Sequence, residues 1–302
     1  MAVLTTGTFT NSAKDVFTNV VKDKFNNTAR EAVLEAKNLY KMLTTTKLFE
    51  RTGQWAGLPR GVQIAEGGEI PIMSPIMGNT KDYTVSPYGL GFRVSWLFKK
   101  TEQWNVVSDL TTNLKMTQLE LKEYELAKLW NSPTATYTGY GGTLHLGEAS
   151  QTCLDGSTYD NLLSAALSIT ALESALYYFN TLKDDQGNRM FAKPDTLYFE
   201  PTLYPTVTEI LKSDGKWDEM SNTTNIFKGF INPFMYHYLT STTAWGVVAK
   251  NHRNYDVRCY TLGEPDVVTQ DSPDNARDSI VTSMQAFSFG FGHPGLVCIG
   301  NT

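Results

Sequence analysis

Apolar residues alternate with polar residues or proline along residues 66–99, which is the pattern of half-buried β-strands. The alternating apolar positions are Ile70, Ile72, Tyr83, Val85, Phe92, Val94, Trp96 and Phe98. Prolines and glycines interrupt these strands, which favours strand edges, bulges or a projecting ribbon. The ribbon has too few apolar side chains for a core of its own, and an isolated hairpin is marginally stable in water. We therefore expect it to pack on something else, with a neighbouring subunit as a good candidate.

After the ribbon, the spacing of apolar residues becomes helical. Asn105 or Ser108 can cap a helix that runs to about Trp130, and Asn131 and Pro133 end it. At roughly 25 residues it is about 37 Å long. One apolar stripe consists of Val107, Leu110, Leu114, Leu121 and Tyr124, while Met116, Leu119, Leu126 and Trp130 fall outside it. The helix is therefore predicted to be a strut that packs on more than one side.

Flanking segments give weaker predictions. Helical spacing covers residues 12–43, with two helices meeting at a capping box that begins at Thr28. Residues 44–65 are expected to be irregular, and residues 132–161, rich in Thr, Gly and Ser, to form a long loop.

In the second half, a capping box at Thr170 opens a helix, and Pro201 starts another that runs to about Lys212. Short strands are predicted at residues 197–199, 230–231, 236–239, 245–249, 257–260 and 280–291, with a polar stretch over residues 263–278. This mixture of helices and antiparallel-looking strands indicates an α+β fold.

Composition narrows the function classes. The chain has 302 residues and a net charge of −5, which gives no global attraction to nucleic acid. Residues 1–51 hold eight Lys/Arg against five Asp/Glu, an asymmetry that solvated helix faces explain more simply than a polyanion-binding segment. The apolar runs are too short to span a membrane, and the N-terminus lacks signal-peptide order, so we expect synthesis in the cytoplasm.

Residues that could carry catalysis or bind a metal are scattered. Four histidines (His145, His237, His252, His293) lack metal-ligand spacing, and three cysteines (Cys153, Cys259, Cys298) indicate free thiols. The GYGG run at residues 139–142 lacks the lysine and helix of a phosphate loop, and Asp155 and Asp184-Asp185 fit turns. We therefore expect no catalytic, cofactor-binding or metal-binding residues, and no cofactor.

Residues 155–249 carry a series of short motifs in a recognisable order. They are Asp155-Gly156-Ser157-Thr158, Asn161, Leu167-Ser168, Ala171-Leu172-Glu173, Lys183-Asp184-Asp185-Gln186-Gly187, Pro194-Asp195, Leu197, Glu200-Pro201, Leu203, Asn225, Lys228-Gly229 and Trp245. Together with the preceding ribbon and long helix, this order resembles the major capsid (major head) proteins of tailed bacteriophages, particularly the Mu-like head subunit branch. The loop at residues 134–150 departs from the pattern.

The resemblance implies the Hong Kong 97 capsid fold, in an icosahedral shell around double-stranded DNA. By position, residues 1–50 correspond to an N-terminal helical arm and residues 51–99 to the extended ribbon (E-loop). Residues 100–154 and 279–302 correspond to a peripheral domain with a spine helix at 105–130, and residues 155–278 to an axial domain.

The implied partners are other copies of the chain in hexamers and pentamers, a separate scaffold, a portal, possibly decoration proteins, and packaged DNA bound non-specifically. No membrane partner is expected, and the location is the virion. The lysine–asparagine cross-link known in one member is not expected, although Lys81 and Asn301 are the positions to consider.

Other functions stay open at this point. A nanocompartment shell of the same fold differs in enclosing cargo rather than DNA. A tail-tube or other virion protein is expected to be mostly β and to lack the long helix. A hydrolase or sugar-binding enzyme is disfavoured because no nucleophile–base pair or metal-ligand set is present.

Overall fold

The computed structural model describes residues 18–27, 34–55, 58–73, 77–101, 104–140, 142–153, 156–184, 186–213, 225, 227–272 and 277–300. The helices are α1 (described over residues 18–27), α2 (Trp96–Lys100), α3 (Trp104–Asn131), α4 (Ile169–Thr181) and α5 (Tyr204–Lys212), with 3-10 turns at Glu35–Asn38 and Pro201–Leu203. The strands are β1 (Lys41–Thr44), β2 (Phe49–Trp55), β3 (Met77–Thr84), β4 (Ser86–Val94), β5 (Tyr137–Gly139), β6 (Gly142–Leu144), β7 (Gln151–Thr152), β8 (Thr158–Tyr159), β9 (Thr196–Phe199), β10 (Asn232–Met235), β11 (Trp245–Val248), β12 (Val257–Asp271), β13 (Ser279–Phe291) and β14 (Val297–Ile299).

Two four-stranded sheets organise the chain. The first has the order β1-β12-β13-β4, with β1 parallel to β12 and the other pairs antiparallel. The second has the order β10-β9-β11-β14, with β10 parallel to β9 and the other pairs antiparallel. Three two-stranded ladders complete the pairing: β2-β3, β5-β6 and β7-β8.

One continuous apolar core joins the two sheets. Trp130, at the end of α3, contacts Tyr40 edge-on with ring centroids 6.0 Å apart and Tyr198 of β9 at 4.9 Å. A smaller cluster forms where α1 meets α3 and the first sheet, around Phe25, Leu114 and Val281. Both clusters use α3, whose 28 residues span about 42 Å. The predicted strut is confirmed in position and length.

The side of α3 that faces the core differs from the predicted stripe. Leu110 and Tyr124 are 40% and 57% exposed, whereas Leu126 and Trp130 are buried. Polar residues also lie on the buried side: Thr111, Lys115, Gln118, Lys122 and Glu123. The prediction was wrong because apolarity alone does not reveal that the sheet offers hydrogen-bond partners to long polar side chains.

In the N-terminal part, the helix predicted up to Leu43 is wrong beyond residue 34. Glu35–Asn38 is a single 3-10 turn and β1 follows, paired in parallel with the edge of β12 from Lys41↔Arg258 to Thr44↔Thr261. The predicted junction near Thr28 lies outside the described residues. Residues 49–55, predicted to be irregular, form β2 because β3 supplies its partner.

The bounds of other strands also differ from the predicted ones. The polar stretch at 263–278 is largely β12, which continues past two irregularities near Gly263 because β13 pairs along its whole length. The strands predicted at 230–231 and 236–239 are wrong, because one strand, β10, lies between them at Asn232–Met235. Pro233 is tolerated in β10 because this strand is a sheet edge. Residues 132–161 contain two short hairpins rather than one loop.

Helix starts were partly predicted. The cap of α4 is Ser168, whose side chain accepts from the Ala171 N–H, two residues before the predicted box. Leu172 and Phe179 are fully buried on the inner face of α4 as expected. Pro201 lies in the first turn of its 3-10 segment, which continues into α5.

Candidate assembly surfaces

The ribbon divides into a root that packs on this chain and a tip that does not. β2 and β3 form an antiparallel hairpin, and in β3 the side chains alternate between buried Lys81 and Tyr83 and exposed Asp82 and Thr84. β4 then joins the first sheet beside β13. The expectation that the whole ribbon lacks support from its own chain is therefore wrong for residues 77–94. Trp96 and Phe98, predicted as strand, lie in α2, which Ser95 caps.

The outer face of the hairpin carries a bidentate ion pair. Arg51 and Asp82 are directly opposite in the β2-β3 register, and Arg51 donates from Nε at 2.6 Å and from Nη2 at 2.7 Å to the two carboxylate oxygens. Both side chains are solvent-exposed, so water and salt screen the pair and its contribution to stability is small. Its planar fork geometry does fix the register of the hairpin.

Beyond the hairpin, residues 58–73 form what we call the arm tip. Ile70 and Ile72, predicted as strand residues, lie outside any strand and are 76% and 95% exposed. The other exposed apolar side chains here are Leu58, Val62, Ile64 and Met73. Six large apolar groups on one short segment form the kind of patch that marks an interaction surface.

Only a few polar contacts hold the start of the arm tip to the body. Arg60 Nε donates to Asn188 Oδ1 at 3.3 Å, and Asn188 Nδ2 donates to the Leu58 carbonyl at 3.2 Å. The glycines that punctuate the tip include Gly67, whose φ of +80° suits a residue without Cβ.

At the root, Lys81 is buried and its ammonium donates to the Phe291 carbonyl at 2.6 Å. The same ammonium lies 4.6 Å from the centre of the Tyr83 ring. Burial lowers the pKa of Lys81 to about 8, with the Asp256 carboxylate acting in the opposite direction. Lys81 is thus bound within its own chain, and Asn301 lies outside the described residues, so no cross-link is derived from this pair.

A buried ion pair lies next to the root. Asp256 pairs with Arg258 at the start of β12, and Asp256 is 5% exposed. Tyr140 lies beside Asp256 and donates from its hydroxyl to Thr52 Oγ1 of β2 at 3.3 Å. Burial, reinforced by the Asp256 charge, raises the pKa of Tyr140 and of Tyr83. The hairpin is therefore joined to the body by polar as well as apolar contacts.

Polar side chains bind α3 to the first sheet. Gln118 Nε2 donates to the Ser283 carbonyl at 3.3 Å, and Gln285 Nε2 donates to the Gln118 carbonyl at 2.6 Å. Lys122 Nζ donates to Thr261 Oγ1 at 3.1 Å. These bonds satisfy the Nε2 groups of Gln118 and Gln285 and the Lys122 ammonium, which would otherwise be costly to bury. On the face of the sheet opposite to α3, the apolar side chains of Val268 and Met284 are 53% and 62% exposed.

Glu123 connects three parts of the chain. Its two carboxylate oxygens each accept from the Ala36 N–H at 3.1 Å, and Oε2 lies 3.3 Å from the Tyr236 hydroxyl. Burial raises the pKa of Glu123, although these hydrogen bonds work in the opposite direction. Beside it, His237 Nδ1 lies 2.7 Å from Glu35 Oε1.

The remaining candidates from the sequence are not brought together. His145 Nδ1 lies 2.7 Å from the Thr134 carbonyl, His252 Nε2 lies 3.2 Å from the Met190 carbonyl, and His293 Nδ1 accepts from the Gly295 N–H at 3.1 Å. The three cysteines are buried free thiols. Within the described residues, no cluster of three or more His, Cys, Asp or Glu could hold a metal ion.

The turn motifs have the roles that their composition indicates. Asp184 Oδ1 accepts from the Gln186 and Asn188 N–H groups at 3.0 and 2.8 Å, closing a turn; Asp155 and Asp185 lie outside the described residues. The GYGG run connects β5 to β6. No helix in the described part of the chain is both long and apolar enough to cross a bilayer.

Comparison with known proteins identifies the family. The family described as phage capsid protein matches residues 78–298, a range that contains most of β3, α3 and the strands of both sheets except β1 and the last residue of β14. This chain belongs to the phage capsid protein family. No curated protein matches it in sequence.

Solved structures show the same fold at low sequence identity. A chain from Mycobacterium phage Patience has a TM-score of 0.59 at 12% identity, covering 93% of this chain and 87% of that chain. The capsid structure of the Cyanophage P-SCSP1u has a TM-score of 0.58 at 11% identity, covering 87% of each chain. The capsid of an empty GTA particle has a TM-score of 0.58 at 8% identity, covering 90% of this chain and 91% of that chain.

These matches confirm the predicted Hong Kong 97-like fold and the predicted class of protein. The chain is a structural protein of the phage capsid and thus a component of the virion. The tail-tube and hydrolase alternatives are thereby set aside. Membership of the Mu-like branch stays a prediction.

Proposed function

We propose that copies of this capsid protein assemble through hexamers and pentamers into an icosahedral head that encloses double-stranded DNA. The arm tip is the observation that supports this proposal most directly. Its large apolar side chains, with Ile72 95% exposed, are not buried by the part of the chain that the structure describes. Contact with a neighbouring copy removes this surface from water at about 25 cal/mol per Å² of apolar area.

A shell subunit needs several different contact surfaces, because closed shells are built from heterologous contacts repeated by rotation. This chain offers at least three exposed apolar surfaces. They are the arm tip, the outer face of the first sheet at Val268 and Met284, and the exposed side of α3 at Leu110, Met116 and Tyr124. We assign the first as the arm contact and the other two as contacts between subunits or with decoration proteins.

The domain assignment follows the same proposal, with refinements from the strand pairing. We assign residues 1–48 to the N-terminal arm and change the extended ribbon from 51–99 to 49–84, because β2 pairs with β3 and β4 pairs with β13. The peripheral domain contains α3 and strands β4, β12 and β13 of the first sheet, to which the arm adds β1. The axial domain then contains α4, α5 and the second sheet, which includes β14.

The remaining partners are proposed on the chemistry of a shell that is filled with DNA. The inner surface needs only weak, sequence-independent contact with the packaged duplex, which agrees with a net charge of −5. A separate scaffold and a portal complete the proposed set, and synthesis takes place in the host cytoplasm.

Sedimentation velocity and electron microscopy of the purified full-length chain test this proposal. We expect hexamers, pentamers or closed shells, with the fraction of large species rising with concentration and with added scaffold. A folded monomer that stays monomeric at high concentration in the presence of the phage scaffold contradicts the proposal.

A further inference from the structure

Phe191 combines an unfavourable backbone conformation with an exposed ring. Its φ is +49°, and no other non-glycine residue in the described part of the chain has a positive φ. Its side chain is 87% exposed. A bulky side chain in the left-handed region is disfavoured, and such conformations persist where the surrounding structure enforces them and function uses them.

The backbone on both sides of Phe191 is anchored. The Met190 N–H donates to the Leu182 carbonyl at 3.0 Å, and Ala192 is buried. The side chains alternate, so that Arg189, Phe191 and Lys193 are exposed. We call these three residues the basic–aromatic row.

A cleft of about 690 Å³ lies between α4 and residues 153 and 157–163. Its wall includes Leu163 and the rings of Tyr177 and Tyr178, of which Tyr177 is 71% exposed. Asp160, Glu173 and Lys183 also line the cleft. The cleft therefore offers aromatic contacts and two carboxylates against one ammonium group.

We infer that the basic–aromatic row of one copy docks into this cleft on a second copy, with Phe191 inserted beside Tyr177. The inference rests on the proposed assembly and identifies one of its interfaces. Aromatic pairs of this kind are favourable beyond their buried area. The cationic groups of Arg189 and Lys193 complement the carboxylates of Asp160 and Glu173, which favours this pairing over a neutral partner.

The ring of Phe191 and the cleft belong to different recesses of one chain. The backbone beside Phe191 meets the cleft wall, since the Met190 N–H donates to the Leu182 carbonyl at 3.0 Å and Lys183 pairs with Arg189 in an isolated bridge. The ring itself borders a separate recess, together with Phe230 and Asn232 of the edge strand β10. Because the ring does not line the cleft of its own chain, its acceptor in this inference is the cleft of a second copy. Such a contact is heterologous, and it forms a ring where the rotation between copies closes.

The first experiment exploits the strained conformation. Phe191→Gly removes the ring and relieves the backbone, since glycine populates positive φ freely. We expect unassembled Phe191→Gly subunits to melt at or above the wild-type temperature, while the concentration needed for assembly rises at least tenfold. Phe191→Tyr, which keeps the aromatic ring, should assemble within about twofold of wild type.

A second experiment locates the contact. In a Cys153→Ser background, subunits with Phe191→Cys are co-assembled with subunits with Tyr177→Cys and treated with a short bismaleimide. We expect linked dimers between the two variants. The control replaces Tyr177→Cys by Tyr204→Cys, which is 51% exposed and outside the cleft, and should give few dimers.

The outcomes separate this inference from the proposed function. Two results would show that the row does not dock in the cleft while the shell function stands. One is that Phe191→Gly forms shells at the same concentration as wild type. The other is that Phe191→Cys subunits cross-link as well to Tyr204→Cys subunits as to Tyr177→Cys subunits. If the wild-type chain stays monomeric with scaffold present, the proposed assembly itself is wrong.

Discussion

The ammonium of Lys81 in β3 donates a hydrogen bond to the carbonyl of Phe291 at the end of β13, across 2.6 Å and 210 positions of sequence. This bond joins the root of the ribbon to the last long strand of the first sheet. The root of the ribbon, with Lys81 and Tyr83, is therefore packed on its own chain, whereas the arm tip with Ile70 and Ile72 is exposed.

Replacing Lys81 should change how stability depends on pH. Its pKa in the folded chain is about 8, below the value near 10.4 of an unfolded lysine. Between these values the unfolded chain holds a proton that the folded chain has released, so the free energy of unfolding rises with pH. Relative to Lys81→Met, we expect wild-type subunits to gain up to about 3 kcal/mol over this window. Denaturant titrations at several pH values measure this gain. If the free energy of unfolding depends on pH in the same way in wild type and in Lys81→Met, Lys81 is not the group responsible.

Glu123 should have the opposite effect at lower pH, where it makes the free energy of unfolding fall as pH rises. Burial raises its pKa above the value near 4.3 of an unfolded glutamate. The folded chain therefore holds the proton more tightly, and the stability that this provides is complete below pH 4.3 and is lost as pH rises through the folded-state pKa. Glu123→Gln should remove this slope. Chemical unfolding from pH 4 upward tests the difference, and an unchanged slope in Glu123→Gln shows that another group is responsible.

The two sides of α3 should respond differently to charge. Leu114 is 4% exposed, so Leu114→Asp buries an unpaired carboxylate and should cost on the order of 3 kcal/mol or more. Leu110 is 40% exposed, and Leu110→Asp should cost less than about 1 kcal/mol. Melting temperatures of unassembled subunits make the comparison. Equal losses for both variants are incompatible with the orientation of α3 described above.

Removing the arm tip should separate folding from assembly. Deleting residues 59–72 and bridging with Gly-Ser removes exposed apolar groups, so circular dichroism should stay close to wild type while sedimentation shows only small oligomers. A matched deletion of residues 68–87 also removes Lys81, Tyr83 and Val85, which are buried in this chain, and should destabilise the subunit. Full-size shells from the shorter deletion would remove the arm tip from the assembly mechanism.

Metal analysis of purified protein should find no stoichiometric zinc or iron. His237 lies beside one carboxylate, that of Glu35, and His252 beside a carbonyl, and the described residues contain no group of three His, Cys, Asp or Glu side chains that could hold a metal ion. Stoichiometric metal that disappears with His237→Ala or His252→Ala is the result that overturns this expectation.

Local patterns in the sequence predicted the elements that local interactions dominate. The helix α3 was predicted, with its end within a residue and its start a few residues late, because its propensity, length and stop signal at Asn131 are encoded in consecutive residues. The strands β9, β11 and β13 were also predicted near their observed bounds, since their apolar residues are contiguous or alternate. The ordered motifs of residues 155–249 indicated the family.

Tertiary structure decided the rest, because long-range partners determine it. The strand β1 exists through its pairing with β12 more than 200 residues away, although its sequence continues a helical spacing. The polar side of α3 is buried because Ser283 and Thr261 supply hydrogen-bond partners. Alternation along the ribbon predicted half-burial but carried no information on which chain does the burying. Only the packing shows that Tyr83 is covered by its own chain and that Ile72 is exposed, since a side chain's periodicity records a face and not the identity of its partner.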